Sequence, residues 1–210
     1  MAYLGEPVPT VPQPWPSGPC DRSGPWLTTA PGPADRTRAV LFGRDGTLLQ
    51  DVSCNGDPAM VHPTAGIRAA LAALRAAGFA LGVLSNQPAV ARGMLGRGQV
   101  DAIQARAELL LGPVDVWAVC PHGSHDGCAC RMPAPGLVTA ACRALGLPPA
   151  HVTVIGCTDS VIAAALAAGA HAIRVREAGR PPHPACPPCT LTACPSAEDP
   201  AEAAALLLRR

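Results

Sequence analysis

Five short apolar runs, separated by four stretches of helix length, constrain this chain more than any other feature. The runs are Ala39–Phe42, Phe79–Leu84, Val114–Val119, Val152–Ile155 and His171–Val175. Between them, Gly66–Ala77 carries Ile67, Ala70, Leu71 and Leu74 at helical spacing, and Gln99–Leu111, Gly136–Leu145 and Val161–Ala168 complete the alternation. Gly78, and Gly146 with Pro148, supply the stops. Strands that alternate with helices call for a parallel sheet covered on both faces. The expectation is therefore α/β: a three-layer, open parallel sheet of flavodoxin-like type, with its site at the carboxyl ends of the strands.

The ordered domain is expected over residues 37–177. Residues 1–36 carry nine prolines, from Pro7 to Pro33, and are expected to form neither helix nor ladder. Trp15 and Trp26 lie in that arm, which offers a place for a protein partner. Residues 178–210 are rich in Pro and Cys, with a terminal helix expected over Ala201–Leu208 and a second metal knuckle conceivable at His183, Cys186, Cys189 and Cys194. A net charge of +1 without a basic run speaks against nucleic acid. No apolar stretch approaches membrane length, and the N-terminus has no secretory pattern. The reading is a cytoplasmic chain whose ten cysteines serve as metal ligands or free thiols. All sixteen basic residues are Arg, so chemistry that requires a lysine has none to use.

Four constellations carry the chemistry. Leu41-Phe42-Gly43-Arg44-Asp45-Gly46-Thr47 follows the first run, and Leu84-Ser85-Asn86-Gln87 ends the second. Cys120-Pro121-His122 precedes Cys128-Ala129-Cys130-Arg131-Met132-Pro133; three thiolates with His122 or His125 make a closed tetrahedral set suited to structural zinc. Gly156-Cys157-Thr158-Asp159-Ser160-Val161 opens the last helix.

Together these segments resemble the haloacid dehalogenase superfamily, in its histidinol-phosphatase and heptose-bisphosphate phosphatase branch, over about residues 39–176. The resemblance implies a Rossmannoid fold with a zinc-binding loop held by Cys120, His122, Cys128 and Cys130. It implies Asp45 as general acid/base, with the nucleophile position occupied by Gly43. Arg44, Ser85, Asn86, Gln87 and Arg131, with backbone amides near Gly46, are implied to hold a phosphate. The phosphate-stabilising lysine falls on Met132, and the two metal-site carboxylates fall on Cys157 and Val161. Magnesium, the family's metal, is therefore expected to bind weakly or not at all. Asp159 is expected to act as a helix-end acid. Restoring Asp at position 43 would set two carboxylates side by side with no cation to offset them. The expected function is a catalytically impaired phosphatase-family protein that binds a small phosphorylated sugar or other phosphate ligand, or regulates. The alternatives are an active sugar-phosphate phosphomonoester hydrolase and a structural or partner-binding protein.

Overall fold

The computed structural model describes residues 24–30, 36–52, 55–176 and 194–209. Most of the proline-rich arm, with Trp15, lies outside them, as do His183, Cys186 and Cys189. The strands are β1 (Trp26–Thr29), β2 (Ala39–Gly43), β3 (Ala80–Asn86), β4 (Val116–Cys120), β5 (Val152–Gly156), β6 (His171–Val175) and β7 (Ser196–Ala197). The helices are α1 (Ile67–Ala76), α2 (Pro88–Ala91), α3 (Arg97–Leu111), α4 (Gly136–Ala144), α5 (Asp159–Ala167) and α6 (Pro200–Leu208). No helix of the described residues is long and apolar enough to cross a membrane.

The strands form one sheet in the order β1-β4-β3-β2-β5-β6-β7, and all pairs but β1·β4 are parallel. With the antiparallel edge set aside, the order is that of the doubly wound dinucleotide-binding fold, not the flavodoxin order the alternation suggested. Alternation and helix length are local properties. The side of the sheet on which the third strand adds is not. The reversal falls between β2 and β5, so the crevice opens at their carboxyl ends.

Each central strand feeds two cores, because successive side chains leave on opposite faces. Val40 and Phe42 of β2 pack with Ile67, Leu71 and Leu74 of α1, Ile103 and Ala107 of α3, and Ala203 and Ala204 of α6. Ala39 and Leu41 pack on the other face with Leu137, Val138 and Ala141 of α4 and Ile162 and Ala165 of α5. Small residues let these layers close. A Cβ on Gly82, in the middle of β3, would run into Leu41 Cδ2 and lie 2.6 Å from Val116 Cγ1.

Two boundaries move. The segment expected to form no ladder contains β1, a Pro-free stretch between Pro25 and Pro31 that pairs Trp26–Thr29 with Val119–Val116. An edge strand is where neighbouring prolines are tolerated. The Trp26 ring also carries the Arg97 guanidinium at 4.3 Å from its centroid. Beyond residue 177, β7 pairs with β6 and α6 packs on α1, so residues 196–208 belong to the same body. Asp199 caps α6, its side chain accepting from Glu202 N at 2.8 Å.

Candidate functional site

The carboxyl end of β2 turns sharply. Gly46 N donates to Leu49 O at 2.8 Å and Leu49 N to Arg44 O at 2.9 Å, and Gly46 takes φ 71°, the left-handed region. The Gly46 amide, expected to face a phosphate, is used in closing this turn. The turn projects Asp45 over the ends of β2 and β3. Arg44 Nε donates to Asp45 Oδ1 at 2.9 Å, and Gln87 Nε2 lies 3.3 Å from Oδ2. Gln87 Nε2 also donates to Ser85 Oγ at 2.8 Å. Asp45, Arg44, Gln87 and Ser85 are thus one polar chain, assembled from β2 and β3 because Gly43 pairs with Leu84 in the parallel register.

Arg44 is almost fully buried, and its partner is Asp45 rather than open solvent. A cation therefore already stands beside Asp45, which corrects the expectation that a second carboxylate at position 43 would meet none. Asn86 does different work. Its Nδ2 donates to Met132 O at 3.0 Å and its Oδ1 accepts from Met132 N at 3.2 Å. Both amide ends bond the backbone after the cysteine loop, so Asn86 positions that loop. Arg131 Nη1 likewise donates to His122 O at 3.2 Å.

Gly43, the last residue of β2, carries no side chain. A Cβ built there would lie 3.4 Å from Thr47 Oγ1 and 3.8 Å from both Gly156 Cα and Ile155 O, which are ordinary contacts. Thr47 is fully buried, and its Oγ1 has no hydrogen-bond partner among the described residues. The sequence reading passed over Thr47; its place two residues after Asp45 was the available signal.

The end of β5 offers little to a hard cation. Cys157 Sγ lies 3.6 Å from the Asp45 carbonyl oxygen. Val161 is buried against Gly156, where its side chain leaves no room for a Cβ. Asp159 is the first residue of α5 and is ion-paired with Arg174 on β6. Met132 is buried in the apolar layer around α4 and α5. A sulfur, a valine and a glycine do not fit magnesium, which takes oxygen donors.

The four expected zinc ligands come together, from the end of β4 and the loop after it. The donor atoms of Cys120, His122, Cys128 and Cys130 all lie within 4.8 Å of one another. The Sγ–Sγ separations are 3.4 Å for Cys120–Cys130 and 3.7 Å for Cys120–Cys128 and Cys128–Cys130. His122 Nδ1 lies 3.5 Å from Cys120 Sγ and 3.2 Å from Cys130 Sγ. Zinc–sulfur bonds of about 2.3 Å in a tetrahedron put sulfurs about 3.7 Å apart, so these edges fit the ion. The distances exclude a disulfide, whose S–S length is about 2.05 Å. The hydrogen bond from Cys130 pulls the Cys120 thiol down to about 5, against the opposing effect of burial. Cys130 is pushed up, first by that same bond and then by burial. Crowded thiols share protons in this way; a dication would let all of them ionise. His125 is exposed and sits beside Ser124 Oγ, outside the cluster. Cys194, the described member of the second candidate knuckle, lies 3.3 Å from Ala172 O.

Known proteins resemble this chain in sequence and fold. A family profile described as HAD-hydrolase-like matches residues 129–184. The D-glycero-beta-D-manno-heptose-1,7-bisphosphate 7-phosphatase of Pseudomonas putida is 34% identical over 118 residues, covering 54% of this chain and 67% of that protein. The enzyme of the same name from Bordetella bronchiseptica is 32% identical over 139 residues, covering 63% of this chain and 76% of that one. The crystal structure of D,D-heptose 1,7-bisphosphate phosphatase from B. bronchiseptica, complexed with magnesium and phosphate, superposes with a TM-score of 0.71 at 28% identity. That superposition covers 82% of this chain and 99% of that one.

Proposed function

The chain belongs to the haloacid dehalogenase-like hydrolases, alongside the heptose-bisphosphate phosphatases, and from that premise we propose that it binds a phosphorylated sugar or related phosphate ligand while turning it over poorly or not at all. The observation that carries this reading is the end of β2. Gly43 has no side chain, and the nearest atoms to its Cβ position are a hydroxyl, a backbone carbon and a carbonyl, with no carboxylate among them. Position 43 carries no carboxylate to take the phosphoryl, and the side chains of Cys157 and Val161 supply no oxygens for the family's magnesium.

What the chain retains is recognition. Ser85 Oγ, Gln87 Nε2 and the Arg44–Asp45 pair form one hydrogen-bonded chain at the carboxyl ends of β2 and β3. Hydrogen-bond donors and a buried cation at strand ends suit a phosphate oxygen, and the protein's role is then to hold that ligand or to regulate in response to it. Cys120, His122, Cys128 and Cys130 hold zinc in this reading. Four protein ligands leave no open position, so the ion is structural and staples the loop that Asn86 clamps. Reduced thiols and structural zinc agree with a cytoplasmic setting.

A working sugar-phosphate hydrolase is the second reading, favoured by the intact Asp45–Gln87–Ser85 chain. Two measurements separate them. Titration calorimetry with a heptose bisphosphate and with inorganic phosphate should show binding, while a phosphate-release assay at millimolar magnesium should show almost none. Turnover at the rate of the family's enzymes refutes the impairment. Absence of heat with both ligands refutes the binding role.

A further inference from the structure

We propose that the groove at the amino ends of β2, β5 and β6 binds a small amphipathic carboxylate, its head held by Arg38, His151 and His171 and its apolar tail lying along Leu206 and Leu207 of α6. The site is at the opposite end of the sheet from the phosphate site, and the inference does not rest on that reading.

The groove follows from strand register. Ala39 pairs with Val152 and Thr153 with His171, so Arg38, His151 and His171 stand at three neighbouring strand starts. Side chains two apart on a strand share a face of the sheet. Thr153 and His171 therefore lie on the face of Ile155 and Ile173, where the residues of α6 also pack. Two cavities open between these strand starts and the helix, of about 340 Å³ and about 380 Å³, and Thr153, His171 and Leu207 line both. Both volumes fall in the range of ligand sites, about 300–1,000 Å³. Open α/β sheets carry their main site at the carboxyl ends of the strands. β5 runs from Val152 to Gly156, and at about 3.3 Å per residue its length places the groove roughly 16 Å from that site.

The two cavities differ in chemistry. Arg38 and His151 border the first, His171 stands between them, and Leu166, Ile173 and Leu206 border the second. No carboxylate lines either one. The Arg38 guanidinium lies 4.3 Å from the centroid of the Phe79 ring, which holds it on the wall of the groove. No carboxylate of the described residues is ion-paired with it. An imidazole N–H donates whether the ring is neutral or charged. Three donors, one of them a permanent cation, select an anion, and a planar carboxylate accepts the guanidinium fork through both oxygens. The carboxyl end of α6 opposes an anion, but Arg209 Nε already donates to Ala205 O there at 3.2 Å. The apolar cavity next to the donors selects a ligand with an alkyl tail over a bare ion, because the tail takes the leucine surface out of water.

The test is titration calorimetry of the full chain with octanoate below its micellar concentration, at constant ionic strength. Acetate and octanol are the companion probes, the one lacking the tail and the other the head. Octanoate should saturate, and each companion should bind about tenfold more weakly or worse. Arg38→Gln and His171→Gln should each weaken octanoate about threefold to fivefold, the scale of an exposed ion pair, and the double variant should weaken it further. Both side chains are exposed, so the variants should fold, as circular dichroism will show. Octanol or acetate binding as tightly as octanoate overturns the proposal, and the probe series on wild type needs no variant. So does an unchanged octanoate affinity in the double variant, or no saturable binding in wild type.

Discussion

Replacing Gly43 by Asp tests both the geometry and the chemistry of the β2 end. The new Cβ meets Thr47 Oγ1 at 3.4 Å and Gly156 Cα at 3.8 Å, which are ordinary contacts. The carboxylate gives the orphaned Thr47 hydroxyl a charged acceptor, worth about 1.5–3 kcal/mol. Against this stands repulsion from Asp45: two charges about 5 Å apart at an effective dielectric of 20 cost about 3 kcal/mol. Arg44 Nε, 2.9 Å from Asp45 Oδ1, cancels much of that. The expected change in stability is near zero, within about 1 kcal/mol, or a shift of about 2–4 °C in melting temperature for a chain of this size. Activity should respond differently. Loss of a covalent nucleophile costs about 10⁶-fold in a well-studied protease, near 8 kcal/mol at about 1.36 kcal/mol per tenfold. Gly43→Asp alone should recover little of this, because Cys157 and Met132 still stand where an oxygen donor and a cation are needed. The triple variant with Cys157→Asp and Met132→Lys should show magnesium-dependent phosphate release from a heptose bisphosphate, well above the sum of the single variants. Wild type, Gly43→Asp and the triple variant are compared at matched zinc content. Wild type turning over as fast as the triple variant would refute the reasoning. So would unfolding of Gly43→Asp, because the space would then not be open.

Three further outcomes follow from the same geometry. Cys128→Ser should cut zinc, about one per chain in wild type, to a small fraction of that by elemental analysis, and unchanged occupancy would remove Cys128 from the ligand set. Gly82→Ala forces a methyl group into Leu41 and Val116 between β2 and β4 and should cost about 1–3 kcal/mol in denaturant unfolding. Burial raises the Glu108 carboxyl above its ordinary value, although Trp117 Nε1, at 2.7 Å, pulls the other way. A raised folded-state value means the proton is held more tightly when folded, so the stabilisation is complete below the unfolded value and is lost as pH rises through the folded one. Glu108→Gln keeps an acceptor for Trp117 without the charge. It should therefore melt higher than wild type at neutral pH, with the difference shrinking or reversing in acid; a gain that persists unchanged in acid would contradict the charge argument.

The local sequence carried the element types because strand and helix periods are read over a few residues. Ile67, Ala70, Leu71 and Leu74 announced a helix face, and all four are buried. The Cys120–Cys130 spacing announced a metal-ligand cluster for the same reason: its four donors lie within eleven residues, on the end of one strand and the loop it feeds. Gly43, Met132, Cys157 and the absence of lysine were equally legible, since a missing functional group needs no structure to be missed. What depends on partners distant in the chain was not. Asn86 bonds Met132 across 46 residues, and Asp159 turns to Arg174 across 15. Arg44 lies beside Asp45 in the chain, but its burial there depends on elements folded over the turn. Strand order and the Trp26–Thr29 edge strand depend on which free edge of the sheet each element finds, which no local period encodes. Thr47 shows the division most clearly. The sequence places a hydroxyl two residues past an acid, but only the tertiary structure buries it with no hydrogen-bond partner among the described residues.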